Sequence, residues 1–194
     1  MIIGVPKEIK NNENRVALIP EKAAMLSEQN HNILIESNAG TGAGYPDKDY
    51  VNSGCTIISN VEEIYKNAEL ITKVKEPLKS EYKYLNKKSI LFTFLHLAAN
   101  KNLLMNLLKS QMTSIAYEAV TKNGKTFPLL KPMSEIAGKL APQIAANFLQ
   151  KQYGGPGLLI GGTSNVKPLN ISIIGAGIVG YNAAIISRGM GANV

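Results

Sequence analysis

Three positions in this sequence combine a reactive side chain with a place where chemistry could use it. Arg15 closes the polar stretch Asn11-Asn12-Glu13-Asn14-Arg15 and is one of two arginines, with Arg188. Its planar fork suits bidentate binding of a carboxylate, and equally an ordinary place on the surface. Lys73 and Lys75 follow the apolar run from Leu70 and would share one face of a strand, so composition cannot choose between them. The end of the run, just before Pro77, favours Lys75. His96 is set in Leu95-His96-Leu97 behind a longer apolar run. A histidine there is either a hydrogen-bonded core residue or a positioned acid and base for an amine or carbonyl. His31, in Asn30-His31-Asn32, reads as an exposed turn.

A fourth stretch lies near the other end. Asn170-Ile171-Ser172-Ile173-Ile174 leads into Gly175, Gly177 and Gly180, which stand at G-x-G-x-x-G spacing. Alone this pattern is weak, and a plain strand–turn–helix would also produce it. Here a β-type run precedes it and Tyr181 to Arg188 continue as a helix. Gly175 would allow the sharp turn, Gly177 the approach of a pyrophosphate, and Gly180 close packing of the helix, whose first amides would face the phosphates. Gly40-Thr41-Gly42-Ala43-Gly44 imitates this pattern but has Tyr45 and Pro46 where it fails, and reads as a loop. The two histidines lack metal-ligand spacing, no G-x-S-x-G elbow occurs, and no metal site is expected.

These residues need elements to carry them. Strands are expected at residues 2–5, 33–36, 56–58, 70–74, 89–94 and 113–117, and helices at 20–29, 61–67 and 101–109. Short strands alternating with helices imply a parallel sheet with helices on both faces. Beyond Asn123-Gly124 the pattern changes to one long helix over 134–150, with Ser134 as its N-cap, Ile136, Leu140, Ile144 and Phe148 on one stripe, and a kink at Pro142. The fold class is therefore α/β. A parallel, doubly wound N-terminal catalytic domain spans residues 1–131, and residues 132–194 supply a linker helix and the first β–α unit of a Rossmann dinucleotide-binding domain. Ligands of such sheets bind outside the carboxyl ends of the strands. Arg15, Lys75 and His96 all fall just past strand ends, so they should converge on one rim.

Bulk properties exclude several alternatives. A hydrophobic content of 45% over 194 residues is ample for a packed core. The net charge of +7 comes from scattered lysines without interleaved aromatics, which argues against nucleic acid as a partner. Cys55 is the single cysteine, so no disulfide framework is possible within one chain, and a reducing compartment fits. The opening residues lack the layout of a signal peptide, no stretch reads as a membrane span, and a cytoplasmic location is expected.

Taken together the motifs resemble the alanine dehydrogenase family along the whole chain. Gly4-Val5-Pro6-Lys7-Glu8-Ile9-Lys10, Glu13-Asn14-Arg15-Val16-Ala17-Leu18, Lys73-Val74-Lys75-Glu76-Pro77, Leu95-His96-Leu97-Ala98, Pro132-Met133-Ser134-Glu135 and the glycine fingerprint occur in the family's order. The resemblance implies reversible NAD-dependent oxidative deamination of L-alanine to pyruvate and ammonium. It assigns Arg15 and Lys75 to the substrate's carboxylate and carbonyl region and His96 to proton transfer. It assigns Met133, Ser134, Gly175, Gly177, Ile178, Val179 and Gly180 to the dinucleotide. It implies a homo-oligomer, commonly a hexamer. Phe94 stands where relatives often carry Tyr. The transhydrogenase alpha subunit is a weaker resemblance, since it shares the opening and glycine motifs but less of the Lys75 and His96 segments.

The resemblance also implies a C-terminally truncated member. The acidic residue expected about 20 residues beyond the glycines, which grips a ribose, is not reached before Val194, nor is the family's second catalytic residue, an aspartate. The chain by itself is expected to be inactive, either as a non-catalytic remnant or as a fragment dependent on a partner. The exposed apolar faces of its glycine-bearing strand and helix should make it sticky or unstable.

Overall fold

Runs rich in isoleucine, valine and leucine become the strands. Six of them, β1 (Ile2–Val5), β2 (Asn32–Glu36), β3 (Thr56–Ile58), β4 (Leu70–Thr72), β5 (Ile90–Thr93) and β6 (Thr113–Ala116), pair in parallel in the order β3-β2-β1-β4-β5-β6. The computed structural model describes residues 1–194 and divides into two compact units, Met1–Val120 and Thr121–Val194. The sheet fills the first unit.

Alternation along the strands sorts side chains onto two apolar layers. Ile3 and Val5 of β1, with Ile33 and Ile35 of β2, pack on Ala23 of helix α1 (Pro20–Glu28) and Tyr50 of helix α2 (Asp47–Asn52). Leu34, Ile71 and Leu91 face the opposite way, onto Ile64 and Tyr65 of helix α3 (Val61–Asn67) and Leu103 and Leu107 of helix α4 (Lys101–Ser110). The sheet is thus doubly wound. Local chemistry fixes the helix starts: Pro20 opens α1, the Asn60 side chain accepts from the Glu62 amide at 3.0 Å, and the Asn100 side chain accepts from the Leu103 amide at 3.0 Å.

The strand order reverses at β1, which lies between β2 and β4. Loops leaving β1 and β4 therefore diverge to opposite sides, and a crevice opens at their carboxyl ends.

The second unit contains helix α5 (Lys131–Phe148) and helix α6 (Ile178–Gly189). The expected junction between residues 131 and 132 falls inside this unit. The segment ahead of α5 is tied to it, because the Lys131 amide donates to the Phe127 carbonyl at 2.9 Å after a turn closed by Lys122 and Thr126. α5 begins before the expected start, with Pro132 in its first turn, so Ser134 is not the cap; its amide donates to the Leu130 carbonyl at 3.1 Å. The helix runs on through Pro142.

α5 and α6 approach closely at Gly138, where a Cβ would lie 2.4 Å from the Val179 carbonyl oxygen and 2.8 Å from Asn182 Cβ. The buried positions of α5 are Gly138 and Pro142, whereas Ile136, Leu140, Ile144 and Phe148 are exposed. The expected strand at residues 171–174 also differs. It makes one parallel bridge, Asn170 with Asn193, and Ile174 is fully exposed. A strand needs neighbours, and within these 194 residues only Asn193 stands beside it. No helix is long and apolar enough to cross a membrane.

Gly4 marks where β1 presses on α3: a Cβ there would lie 2.5 Å from Ile64 Cγ2 and 2.9 Å from Ala68 Cβ. Gly4→Ala is expected to destabilise the first unit by about 1–3 kcal/mol through overpacking. Urea unfolding followed by circular dichroism, with Gly189→Ala compared as a glycine that has open space and no left-handed backbone, measures the loss.

Candidate active site

Loops leaving β1, β4 and β5 at their carboxyl ends carry the charged residues of the first unit. The one after β1 supplies Glu8, Glu13 and Arg15; the one after β4 supplies Lys73, Lys75 and Glu76; the one after β5 supplies His96. Beneath them sits a buried ionic cluster. Lys73, 1% exposed, places its Nζ 2.9 Å from Glu81 Oε1 and 3.5 Å from Glu8 Oε2. The Tyr65 hydroxyl donates to Glu81 Oε1 at 3.1 Å, and the Leu78 amide donates to Glu81 Oε2 at 2.8 Å.

Glu8 also ties the two loops together. Its Oε1 accepts from the Val74 amide at 2.6 Å and from the Lys75 amide at 3.3 Å. Burial pushes the Glu8 carboxyl above its ordinary range, against the lowering pull of the Lys73 ammonium and these amides. Geometry separates the two lysines. Lys73 is enclosed by carboxylates, while Lys75, just beyond the strand and half-buried, is the one that reaches the rim.

Arg15 is held by a neighbour. Its Nε donates to Glu13 Oε1 at 2.8 Å and its Nη2 to Glu13 Oε2 at 2.6 Å, a two-pronged grip that orients the guanidinium. The Glu13 carboxyl is pulled below its ordinary range chiefly by that hydrogen bonding, and the Lys75 ammonium adds to the effect.

His96 takes a left-handed backbone conformation, φ 48 and ψ 40, which a non-glycine residue adopts only when its surroundings impose it. Glu118 imposes it here. Its carboxylate accepts from the His96 amide at 2.7 Å and from the Leu95 amide at 3.2 Å. The imidazole stacks on Phe94 with 5.8 Å between centroids, and its Nδ1 lies 3.7 Å from Glu76 Oε2. Glu76 also pairs with Lys10 at 2.5 Å and feels the Lys75 charge. Arg15 and His96 each face a carboxylate, Glu13 and Glu76, both carboxylates feel the Lys75 charge, and the three residues lie on loops leaving the carboxyl ends of neighbouring strands. His31 is half-buried rather than exposed, with Nδ1 3.3 Å from the N-terminal amine.

The glycine stretch forms its own concavity in the second unit. Gly175 has φ +101, a conformation that side chains oppose; a Cβ on Gly177 would meet open space; and one on Gly180 would lie 2.0 Å from the Gly175 carbonyl oxygen. Gly177 caps α6 without a side-chain bond, leaving the helix's first amides at the mouth of a cavity of about 520 Å³. Ser134 lines this cavity together with Gly175, Gly177, Ile178, Val179 and Gly180. Met133 precedes it in the first turn of α5. No group of three or more His, Cys, Asp or Glu side chains could hold a metal ion.

Two family profiles match this chain: alanine dehydrogenase/PNT, N-terminal domain, over residues 4–137, and alanine dehydrogenase/PNT, C-terminal domain, over residues 141–194. The chain belongs to the alanine dehydrogenase/PNT family. Among its curated relatives, the alanine dehydrogenases of Methanococcus maripaludis and of Bacillus subtilis are each 50% identical over all 194 residues. The chain spans about half the length of these relatives, 52% and 51% respectively. A solved L-alanine dehydrogenase superposes with a TM-score of 0.91 at 47% identity, covering 99% of this chain and 53% of that one. A transhydrogenase from Sinorhizobium meliloti shares the fold, with a TM-score of 0.81 at 23% identity, covering 99% of this chain and 57% of that one.

Reading the sequence of this family member for cations and glycines passes over its carboxylates. Glu8, Glu13, Glu76 and Glu118 all contact the three candidate residues or their backbone. The strand-end rule that selected Lys75 also selects Glu8 and Glu76, and that signal was available. Glu118, in a short turn after β6, carried none.

The buried cluster sets a stability test. Lys73→Met leaves Glu8 and Glu81 buried without their counter-charge and is expected to cost about 3–5 kcal/mol. Combining it with Glu8→Gln and Glu81→Gln should recover much of that loss, because the uncompensated charges are gone. Urea midpoints of the single and triple variants measure the difference.

Proposed function

We propose that this chain carries the substrate-binding part and the start of the cofactor domain of an NAD-dependent alanine dehydrogenase. The reaction is the reversible oxidative deamination of L-alanine to pyruvate and ammonium. The observation that carries this reading is the set of loops at the strand ends, where Glu13 grips Arg15, Glu76 faces His96 and the Lys75 charge acts on both carboxylates. Two fixed cations and one proton carrier match a substrate with a carboxylate, an amine that becomes a carbonyl, and protons to exchange. The alanine dehydrogenases at 50% identity support the same substrate.

In this reading Arg15, oriented by Glu13, and Lys75, held by its amide to Glu8, bind the carboxylate and the carbonyl oxygen. His96 takes a proton as the amine is oxidised and returns one in the reverse direction. The residues of the second unit fit a dinucleotide: the positive φ of Gly175, the open space at Gly177 and the uncapped amides of α6 suit a pyrophosphate, with Ser134 and Met133 alongside. NAD, when bound, supplies the hydride acceptor. The sequence contains no Asp or Glu beyond Glu135, so none of these 194 residues supplies a carboxylate after the glycines to grip a ribose. The chain alone is therefore inactive in this proposal, and the active form is a cytoplasmic homo-oligomer, a hexamer as the resemblance implies.

Joining the chain to the remaining half of the Bacillus subtilis relative provides the test. The fusion should show alanine-dependent NADH formation, and the 194-residue chain alone should show none. In the fusion, His96→Ala is expected to lower kcat by about 10²–10⁴-fold, and Arg15→Ala to raise KM for alanine. Undiminished turnover by His96→Ala, or no preference for alanine over other small amino acids, would overturn the assignment.

A further inference from the structure

Glu76 carries an unusual atom. Its Oε1 is bound to Lys10 Nζ at 2.5 Å, but its Oε2 is buried and has no hydrogen-bond partner. A buried carboxylate oxygen without a donor is costly. His96 Nδ1, 3.7 Å away, is the donor aimed at it. The rest of the surroundings prepare that contact. Glu118 fixes the backbone of Leu95 and His96, and the Phe94 ring stacks beside the imidazole at 5.8 Å between centroids, inclined by 29°. The ring is thus left mainly with rotation about its side-chain bonds, and a small one brings Nδ1 into bonding range. Catalytic hydrogen bonds are often longer than ideal before substrate binds.

We propose that Glu76 is the positioning residue for His96: its inward oxygen accepts from Nδ1–H and so leaves Nε2 unprotonated and facing the rim as the proton acceptor. A carboxylate behind an imidazole selects one tautomer and one orientation, and here Lys10 holds that carboxylate in place from the other side. Burial alone would raise the Glu76 carboxyl, but Lys10 and Lys75 outweigh it and hold the group below its ordinary range, as an acceptor. The consequence for catalysis rests on His96 being the proton carrier, whereas the hydrogen bond itself does not.

The tautomer can be read directly in the 194-residue chain. The protein has two histidines, and His31, whose Nδ1 lies 3.3 Å from the N-terminal nitrogen and not beside Glu76, is an internal control. Long-range proton–nitrogen correlation spectra of histidine-labelled protein in alkaline buffer should show His96 protonated at Nδ1. In Glu76→Ala, His96 should move to the Nε2–H form while His31 stays unchanged. A wild-type His96 protonated mainly at Nε2, or an Nδ1–H form that persists in Glu76→Ala, overturns the proposal, and the wild-type spectrum decides even if the variant does not fold. Undiminished turnover of the His96→Ala fusion would overturn the role of His96 as proton carrier and leave the hydrogen bond from Nδ1 to Glu76 standing.

Discussion

The bond from Glu8 to the backbone of Val74 and Lys75, backed by the buried Lys73, is the constraint on which the first unit's site depends. β1 and β4 are neighbours in the sheet, but their outgoing loops run in opposite directions from the point where the strand order reverses. Nothing in parallel pairing itself sets the distance between those loops. Glu8 sets it, by reaching from one loop to two amides of the other. Lys73 lets the carboxylate be buried while doing so, and Glu81 with Tyr65 completes the cluster beneath. The rim residues are then attached to a base whose geometry is fixed by charge-assisted hydrogen bonds, which are shorter and stronger than neutral ones.

Above that base, each candidate residue is oriented by its own carboxylate. Glu13 grips Arg15, Glu76 faces His96, and Glu118 holds the backbone that presents His96. The arrangement has an electrostatic logic. Cations brought together to receive an anionic substrate repel one another, and interspersed carboxylates offset that repulsion. Each carboxylate also fixes a direction, because both of its oxygens are committed or nearly so. Arg15 gripped on two nitrogens and Glu76 pinned on one oxygen have few rotamers left, so little entropy remains to be lost when a ligand arrives.

The sheet was legible in the sequence because its signal is local. Runs such as Asn32–Glu36 and Thr56–Ile58 are β-branched and bounded by turn residues, and the strands formed within a residue or two of where the pattern placed them. α2 was missed, as six residues of which four are charged or amide show no apolar period. The start of α5 was misplaced because Ser134 is a good cap by type, whereas Pro132 is a better opener by geometry. Lys73 and Lys75 were inseparable on a strand that ran to residue 74. The strand ends at Thr72, so alternation no longer governs the two lysines. Charge pairing across distant loops, such as Glu8 with Lys73, leaves no periodicity to detect, although the strand-end positions of the carboxylates were visible.

The second unit shows how much of a phosphate-loop geometry is local. The run ahead of the glycines has one bridge to Asn193 and otherwise no sheet around it, yet Gly175 still turns through positive φ and Gly180 still lies against the Gly175 carbonyl. The turn is therefore not imposed by a finished sheet. It follows from α6 packing on α5 at Gly138, which fixes the helix, and from the tight contact between Gly180 and the loop, which draws the chain back over the helix start. What a sheet would add is burial: Ile174 is fully exposed, and Ile178, Val179 and Ile185 are partly so. The same local residues that shape the loop thus leave their apolar side chains dependent on further strands.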